Sequence, residues 1–320
     1  MRATNWLGDA VMTLPALRAV RSIFSNAHLA VIARPAVAGI YEREGSVDEV
    51  ILYSGSRSAC AAQIREKRFD AAILFQNAFD AALLAWLARI PERIGYRRDG
   101  RGLLLTRAIP VPESGEIPRH ERFYYLELLR RAGLMERFPE CGAIRLDGID
   151  AARAAGQTRL AAMGVEGPVI GISPGTAYGG AKRYERFTEV GQALGPANFL
   201  VFGSPSEQDL CASVAAKIPG AHNLAGRTSL AEFIELAAAC RAFVTNDSGA
   251  MHVASALGVP TVTIFGATDD TTTGPTGPLA RIVREHVECS PCLLRECPID
   301  HRCMTRIAPE RVAAAVREFL

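Results

Sequence analysis

Short apolar runs alternate with longer segments of helical periodicity along most of the 320-residue chain. Apolar side chains that recur every three or four positions indicate amphipathic helices, whereas compact apolar runs bounded by turn residues indicate buried strands. Their alternation predicts βαβ units, parallel sheets and hence an α/β fold. The predicted strands cover residues 29–33, 49–53, 71–75, 168–173, 198–203, 242–246, 260–266 and 281–285.

An Ala- and Gly-rich stretch separates two series of such units. We predict a Rossmann-like domain over residues 1–150, a linker region over 151–167 and a second doubly wound domain over 168–320, facing the first across a central cleft. A parallel strand is also expected just before Thr4, where only three residues precede it. Either the coding start therefore lies upstream or the first sheet lacks its central strand.

Composition and charge narrow the class of protein. A hydrophobic content of 49% provides a sizeable core for each domain, and a net charge of +2 argues against a dedicated nucleic-acid binder. Neither a membrane-spanning run nor an export signal is evident in the pattern, so we expect a cytoplasmic location.

Charge is uneven along the chain. Residues 1–155 carry 22 Arg and Lys against 18 Asp and Glu, whereas residues 156–320 carry 14 against 16. Six arginines and only two acids lie between Arg89 and Arg107. This stretch is either a solvated basic loop or a site for an anionic ligand or an anionic membrane surface.

The stretch TNDSGAMHVASALG, residues 245–258, places polar side chains between a predicted strand and a predicted helix. Ligands of open α/β sheets bind at the carboxyl ends of strands. Asp247 or Ser248 could simply cap the helix. Alternatively, the helix N-terminus, the close approach permitted by Gly249 and a donor on His252 form an anion site. A second loop rich in hydroxyls and glycines, residues 265–278, follows the next strand and favours a phosphorylated ligand.

A third loop, PGTAYGGAKRY over residues 174–184, resembles a P-loop without matching the Walker A pattern, because Ala181 follows the correctly spaced Gly175 and Gly180 where the pattern requires lysine, and no Ser or Thr follows Lys182. Lys182 is one of only three lysines among 36 basic residues, and it ends this Gly-rich turn. It is either a surface lysine or a compact cation for a phosphate. Thr176 of the same loop is a candidate contact to that ligand.

Near the amino end, Gly8 and Asp9 lie at the start of the first predicted helix. Asp9 could be an N-cap. In a two-domain enzyme it could instead be a general base, because a carboxylate can accept a proton from an attacking hydroxyl group.

Four of the eight cysteines are clustered near the carboxyl end, at Cys289, Cys292, Cys297 and Cys303. Four thiolates suit tetrahedral zinc by number, although their spacing is not that of a standard zinc ribbon. A reduced structural cluster is the favoured interpretation in a reducing compartment, with a metal site or a disulfide or redox role as alternatives.

Five stretches together resemble the ADP-heptose:lipopolysaccharide heptosyltransferases, glycosyltransferase family 9, and in particular the members that add the second heptose. They are NWLGDAVMTLPALR, RIGYRRDGRGLLLTRAI, SPGTAYGGAKRY, VTNDSGAMHVASALGVPTVTIFGATDDTTTGP and CSPCLLRECPIDHRCM. Each stretch alone is modest, but the five occur in order over nearly the whole chain, which makes the combination specific.

The resemblance implies a GT-B fold of two Rossmann-like domains, the first for a lipid A–core acceptor and the second for the donor ADP-L-glycero-D-manno-heptose. It implies an inverting glycosyltransferase of lipopolysaccharide biosynthesis that requires no metal cofactor. The resemblance implies that the acceptor is heptosyl-Kdo2-lipid A at the cytoplasmic face of the inner membrane, where the protein would bind peripherally.

The resemblance also assigns roles to individual positions. Asp9 corresponds to the family's base and Lys182 to its pyrophosphate lysine, while the donor loop corresponds to Asp247, Ser248, Gly249 and His252. The phosphates and carboxylates of such an acceptor need cations, so we expect acceptor contacts from Arg97, Arg98 and Arg101.

Two other functions are compatible with the same loops: a GT-B transferase that uses a different nucleotide sugar, and a nucleotide-sugar binding protein without catalysis. Asp9 distinguishes the enzymes from the binding protein, because simple binding does not require a base in the other domain.

Overall fold

The computed structural model describes residues 1–53 and 55–320, and each predicted strand is present to within two or three residues at its ends. The chain divides into two units, Met1–Cys141 and Gly142–Leu320. The boundary therefore lies nine residues before the predicted one. The predicted linker region is instead mostly helical, since its Ala-rich sequence favours a helix and one face packs within the second unit.

The first unit is built from short parallel strands and the helices that connect them. The strands are β1 (Ala30–Ala33), β2 (Glu49–Leu52), β3 (Ala71–Leu74), β4 (Glu92–Tyr96) and β5 (Arg107–Ile109). The helices are α1 (Leu7–Met12), α2 (Leu14–Ile23), α3 (Pro35–Tyr41), α4 (Arg57–Glu66), α5 (Phe79–Leu87) and α6 (Arg122–Arg131). Apolar residues of these elements form the core of the unit.

The sheet of the first unit has two parts, β1–β2 and β3–β4–β5. The extreme amino end lies between them. The N–H of Arg2 donates to the carbonyl of Ile73 and the N–H of Ala3 to that of Ile32, both at 3.0 Å. Among the described residues, isolated bridges at Arg2 therefore take the place of the central strand expected before Thr4. A cavity of about 480 Å³ lies next to Arg2, between β1 and β3.

The second unit contains a six-stranded parallel sheet in the order β11–β10–β9–β6–β7–β8. Its strands are β6 (Val169–Ser173), β7 (Asn198–Val201), β8 (Ala221–Asn223), β9 (Ala242–Asn246), β10 (Thr261–Phe265) and β11 (Ala280–Arg284). Its helices are α7 (Ile149–Ala162), α8 (Phe187–Leu194), α9 (Gln208–Ala215), α10 (Leu230–Ala238), α11 (Gly249–Ala256), α12 (Asp270–Thr273), α13 (Arg302–Thr305) and α14 (Pro309–Arg317).

Three central strands of this sheet account for its longest hydrophobic runs. Every residue of β6, β9 and β10 is buried, because helices cover both faces of a parallel sheet in this architecture. Helix α10 begins at Ser229 with a capping box, in which Glu232 and Ser229 satisfy each other's backbone N–H groups. No helix of the described residues is long and apolar enough to cross a membrane.

Candidate active site

Three loops of the second unit begin at the carboxyl ends of neighbouring strands. The loop of residues 174–184 follows β6, Asp247 and Ser248 follow β9, and residues 266–268 follow β10. The chain starts this sheet at β6, adds β7 and β8 on one side, and then returns to place β9 on the other. Strands β6 and β9 therefore flank a topological switch point, which is where open α/β sheets bind ligands.

Lys182 and Asp247 meet at this switch point. The Nζ atom of Lys182 lies 2.6 Å from Oδ2 of Asp247, and their side chains are only 12% and 5% exposed. The hydroxyl of Thr268 donates to the same carboxylate oxygen at 2.6 Å. Lys182 is therefore not a solvated surface lysine, and the structure brings the two predicted residues from separate loops into one site.

The start of α11 does not use its polar residues as side-chain caps. Ser248 has an extended backbone at the N-cap position but makes no side-chain cap hydrogen bond, and its Oγ lies 3.1 Å from Oγ1 of Thr245. The carboxylate of Asp247 is turned toward Lys182. The eight-residue helix thus begins at Gly249 with its first backbone N–H groups beside this ion pair, an arrangement that favours an anion. His252 lies one turn into the helix and is 7% exposed.

Asn246 fixes both ends of the Gly-rich loop. Its side-chain amide donates to the carbonyl of Pro174 at 2.7 Å, and its Oδ1 accepts the backbone N–H of Tyr184 at 3.0 Å. Within the loop, Thr176 accepts the N–H of Tyr178 through its hydroxyl at 3.4 Å. A short 3₁₀ turn, Gly180–Lys182, then carries the lysine into the site.

Asp9 lies in the first turn of α1, at the third helical position rather than at the N-cap, which is Trp6. The N-cap alternative for Asp9 therefore does not apply. The side chains that interact electrostatically with its carboxylate include Tyr41, Glu121 and Tyr125. The pKa of Glu121 is raised to about 7, mainly by burial and to a smaller extent by the charge of Asp9, while the Arg98 guanidinium opposes the shift.

The basic stretch is partly ordered secondary structure and partly an exposed turn. It forms β4, a 3₁₀ turn at Arg101–Leu104 and β5, with the exposed turn at residues 97–100. Arg97 and Arg98 are exposed, but Arg101 is fully buried and donates to the carbonyls of Tyr96 and Gln76. Burial lowers the pKa of Arg101 to about 10. Its burial argues against a direct acceptor contact by Arg101, because its donors already satisfy the backbone around it.

The eight cysteines are free thiols, so the described residues contain no disulfide. Cys303 is buried, which raises the pKa of its thiol to about 11, with smaller contributions from Cys289, Cys292 and Cys297. Among residues 1–53 and 55–320, no group of three or more His, Cys, Asp or Glu side chains is arranged to hold a metal ion.

Three residues of the site were not singled out by sequence reasoning: Asn246, Thr268 and Tyr178. Asn246 is the last residue of a buried strand, where a side-chain amide is unfavourable unless it forms hydrogen bonds with the backbone. Thr268 follows β10 in the loop already predicted to be polar. These positions could have been found by extending the strand-end argument to each polar residue, whereas the contact between Tyr178 and Lys182 depends on tertiary structure.

Comparison with known proteins agrees with this arrangement. The sequence model of glycosyltransferase family 9 (heptosyltransferase) matches residues 57–302. The chain belongs to glycosyltransferase family 9. Lipopolysaccharide heptosyltransferase 2 of Salmonella typhimurium is 31% identical to this glycosyltransferase over 301 residues, which cover 88% of this chain and 86% of that protein.

Solved structures of the family have the same fold as this glycosyltransferase. The Escherichia coli ADP-heptose lipopolysaccharide heptosyltransferase II matches with a TM-score of 0.84 and 27% identity, over 99% of this chain and 97% of that one. The family 9 glycosyltransferase of Veillonella parvula matches with a TM-score of 0.82 and 21% identity, over 99% and 95% of the two chains. The predicted GT-B α/β fold with parallel sheets is confirmed.

Proposed function

We propose that this glycosyltransferase transfers L-glycero-D-manno-heptose from ADP-heptose to heptosyl-Kdo2-lipid A, with inversion at the anomeric carbon. The observation that carries the proposal is the Lys182–Asp247–Thr268 cluster at the switch point of the second sheet, beside the start of α11. The names of the relatives and of the matching solved structure point to heptose, to ADP-heptose and to a lipopolysaccharide acceptor.

In the proposed reaction, the second unit binds the donor. Negative charge grows on the ADP group as its bond to the sugar breaks. The ammonium of Lys182 and the N–H groups at the start of α11 are preorganised to stabilise that charge. An incoming phosphate competes with Asp247 for Lys182, which leaves the carboxylate of Asp247 and the imidazole of His252 to bind hydroxyl or phosphate groups of the donor. Ser248, Gly249 and Thr176 complete the proposed donor site.

The first unit is proposed to supply the base and to bind the acceptor. Asp9 accepts the proton of the acceptor hydroxyl as that oxygen attacks the anomeric carbon on the side opposite to ADP. The exposed Arg97 and Arg98 are the proposed contacts to acidic groups of the acceptor. Because this acceptor is a lipid, we place the enzyme on the cytoplasmic face of the inner membrane as a peripheral protein.

We further propose that catalysis needs no metal cofactor. Lys182 and the helix N-terminus already supply positive charge next to the proposed diphosphate position, which is the role that a divalent cation would otherwise have. Zinc at the cysteines stays the disfavoured alternative of this proposal.

The test is isothermal titration of the protein with ADP-heptose, ADP-glucose and UDP-GlcNAc, followed by product analysis with the lipid acceptor. We expect the tightest binding for ADP-heptose and a product that is heavier by one heptose with inverted anomeric configuration. Preference for another nucleotide sugar would replace the donor assignment. Tight binding of ADP-heptose without any product would favour the non-catalytic binding protein.

A further inference from the structure

The cysteine-rich segment, residues 289–303, joins the Gly-rich loop to the loop after β10. On one side, the hydroxyl of Tyr178 donates to the carbonyl of Leu293 at 2.7 Å. On the other side, the N–H of Leu293 donates to the carbonyl of Ala267 at 2.7 Å, and Ser290 Oγ donates to the carbonyl of Gly266 at 2.6 Å. The segment therefore lies against two of the three loops that form the site.

Its contacts concentrate on the turn that carries Lys182. The N–H of Ala181 donates to the carbonyl of Arg295 at 2.9 Å, and the ring Nε2 of His301 lies 2.8 Å from the carbonyl oxygen of Ala181. The carboxylate of Glu296 accepts the N–H of Gly180 at 3.1 Å. A β-carbon at Gly179 would lie 2.3 Å from the carbonyl oxygen of Arg295, so the two backbones touch.

Tyr178 brings a second cation to the same place. The Nζ atom of Lys182 lies 4.5 Å from the centre of its ring, and the Cζ atom of Arg295 lies 5.1 Å from it. Aromatic rings attract cations at such distances. One ring therefore contacts both the predicted phosphate lysine and an arginine of the cysteine-rich segment.

Lys182 and Arg295 differ in whether a carboxylate already pairs with their positive charge. Lys182 is already paired with the carboxylate of Asp247. In the described residues, Arg295 has no carboxylate within ion-pair distance, and its side chain is exposed beside the Gly-rich loop. A diphosphate carries more than one negative charge, so it needs more than the single cation that Asp247 partly cancels. A guanidinium can bind it with two hydrogen bonds.

We propose that the cysteine-rich segment completes the diphosphate site of the donor. In this site Glu296 and His301 position the turn of Lys182, and Arg295 is the second cation that binds the diphosphate. This inference rests on the proposed function to the extent that the donor is a diphosphate. It gives the segment a role that does not depend on a metal.

Neutralising the neighbouring side chains Arg295 and Glu296 should affect the Kd values for anions differently, because their charges are opposite. Arg295→Gln removes a positive charge, so the Kd values for inorganic pyrophosphate and ADP should rise about five- to tenfold, close to the effect of one charged contact. Glu296→Gln keeps an oxygen for the Gly180 N–H but removes a negative charge, so both Kd values should fall or stay unchanged. Arg306→Gln, an exposed arginine outside the segment, is the control and should change Kd less than about twofold.

Titration calorimetry with the full chain measures these constants at low and high salt. Kd values for Arg295→Gln within twofold of the wild type would overturn the inference. Equal weakening by Glu296→Gln and Arg295→Gln would also overturn it, since the segment would then act only by holding the loop. If the wild type binds pyrophosphate but not ADP, the proposed donor is refuted. The role of Arg295 is then tested by the Kd values for pyrophosphate alone. Binding of neither probe would refute both.

Discussion

At the residue scale, the site depends on a buried ion pair whose two members come from different loops. Both side chains of Lys182 and Asp247 are nearly inaccessible, and Thr268 gives the carboxylate a further hydrogen bond. Such a pair adds little net stability because both charges lose their hydration, but removal of one member leaves the other charge unpaired. This agrees with the proposed role of the pair in binding the donor, and the protein should tolerate its joint neutralisation better than the loss of Lys182 alone.

The first prediction tests this asymmetry. Lys182→Met should lower the free energy of unfolding by about 3–5 kcal/mol, because it leaves the Asp247 carboxylate buried without its cation. The double variant Lys182→Met, Asp247→Asn should recover most of this loss, while both variants bind ADP at least about tenfold more weakly. Urea unfolding and calorimetry measure the two effects. A double variant as unstable as the single one would refute the explanation.

Asp9→Asn tests the proposed base. A positioned base contributes about 10²–10⁴-fold to rate, so turnover should fall by at least about 10²-fold while the Kd for ADP-heptose stays unchanged. Asparagine keeps the size of the side chain, and unfolding curves of the two proteins should nearly coincide. Near-normal turnover by the variant would show that the carboxylate is not the base.

The raised pKa of Glu121 predicts that the free energy of unfolding depends on pH. Its folded-state pKa is raised from 4.5 to about 7, mainly by burial, so folding favours the protonated carboxyl. The stabilisation is complete below about pH 4.5 and is lost as the pH rises toward 7, at up to about 1.4 kcal/mol per pH unit. In Glu121→Gln this contribution is pH-independent. Urea unfolding at pH 5 and pH 8 should therefore show a smaller decrease for the variant, and equal decreases would contradict the assignment.

At the scale of elements, the hydrophobic pattern predicted the strands with compact apolar runs, including the partly exposed strands β2 and β11, and missed β4, β5 and β8. Strand β4 was missed because Arg93 and Gly95 interrupt its apolar run, and β5 and β8 have only three residues each. Arg93 is accommodated because its guanidinium donates to the carbonyls of Leu104 and Ile90, contacts that depend on tertiary structure. The loop residues of the site were predicted once the central strands were placed. The carboxyl ends of strands in a parallel sheet lie at one edge, and ligands bind at that edge.

Helix α7 shows why the domain boundary was placed too late in the sequence. Its Ala- and Gly-rich composition was interpreted as a linker, yet Gly156 lets it approach α10 closely. A β-carbon there would lie 2.0 Å from the carbonyl oxygen of Glu235. Composition alone does not distinguish a flexible linker from a helix whose small residues allow close packing.

Gly156→Ala therefore has two opposing effects on stability, a gain in helix propensity and a loss from overpacking. Alanine favours a helix interior by about 1 kcal/mol over glycine. The clash is with backbone, which cannot rotate away, so overpacking of about 1–3 kcal/mol should outweigh the gain and destabilise the protein. Gly142→Ala is the control, because nothing lies within 4 Å of its β-carbon position. Thermal unfolding that is unchanged or improved in Gly156→Ala would contradict the predicted contact.

At the scale of the whole molecule, the two units carry opposite net charge. Residues 1–141 contain 20 Arg and Lys against 16 Asp and Glu, and residues 142–320 contain 16 against 18. A basic unit for an acidic lipid and an acidic unit with local cations for a nucleotide agree with the proposed division of roles. The sequence predicted this asymmetry, but only the structure separates the exposed Arg97 and Arg98 from the buried Arg101.

The last prediction follows from that separation. Arg97→Gln with Arg98→Gln should raise the KM for the lipid acceptor at least about fivefold and leave the KM for ADP-heptose unchanged, since exposed charges act on a nearby anion. The difference from the wild type should shrink in high salt, where exposed charges are screened. Arg227→Gln with Arg241→Gln makes the same change of net charge on exposed residues of the second unit and serves as the control. If both double variants raise the acceptor KM equally, net charge rather than a specific site attracts the acceptor. If only the first pair does, Arg97 and Arg98 belong to the acceptor site.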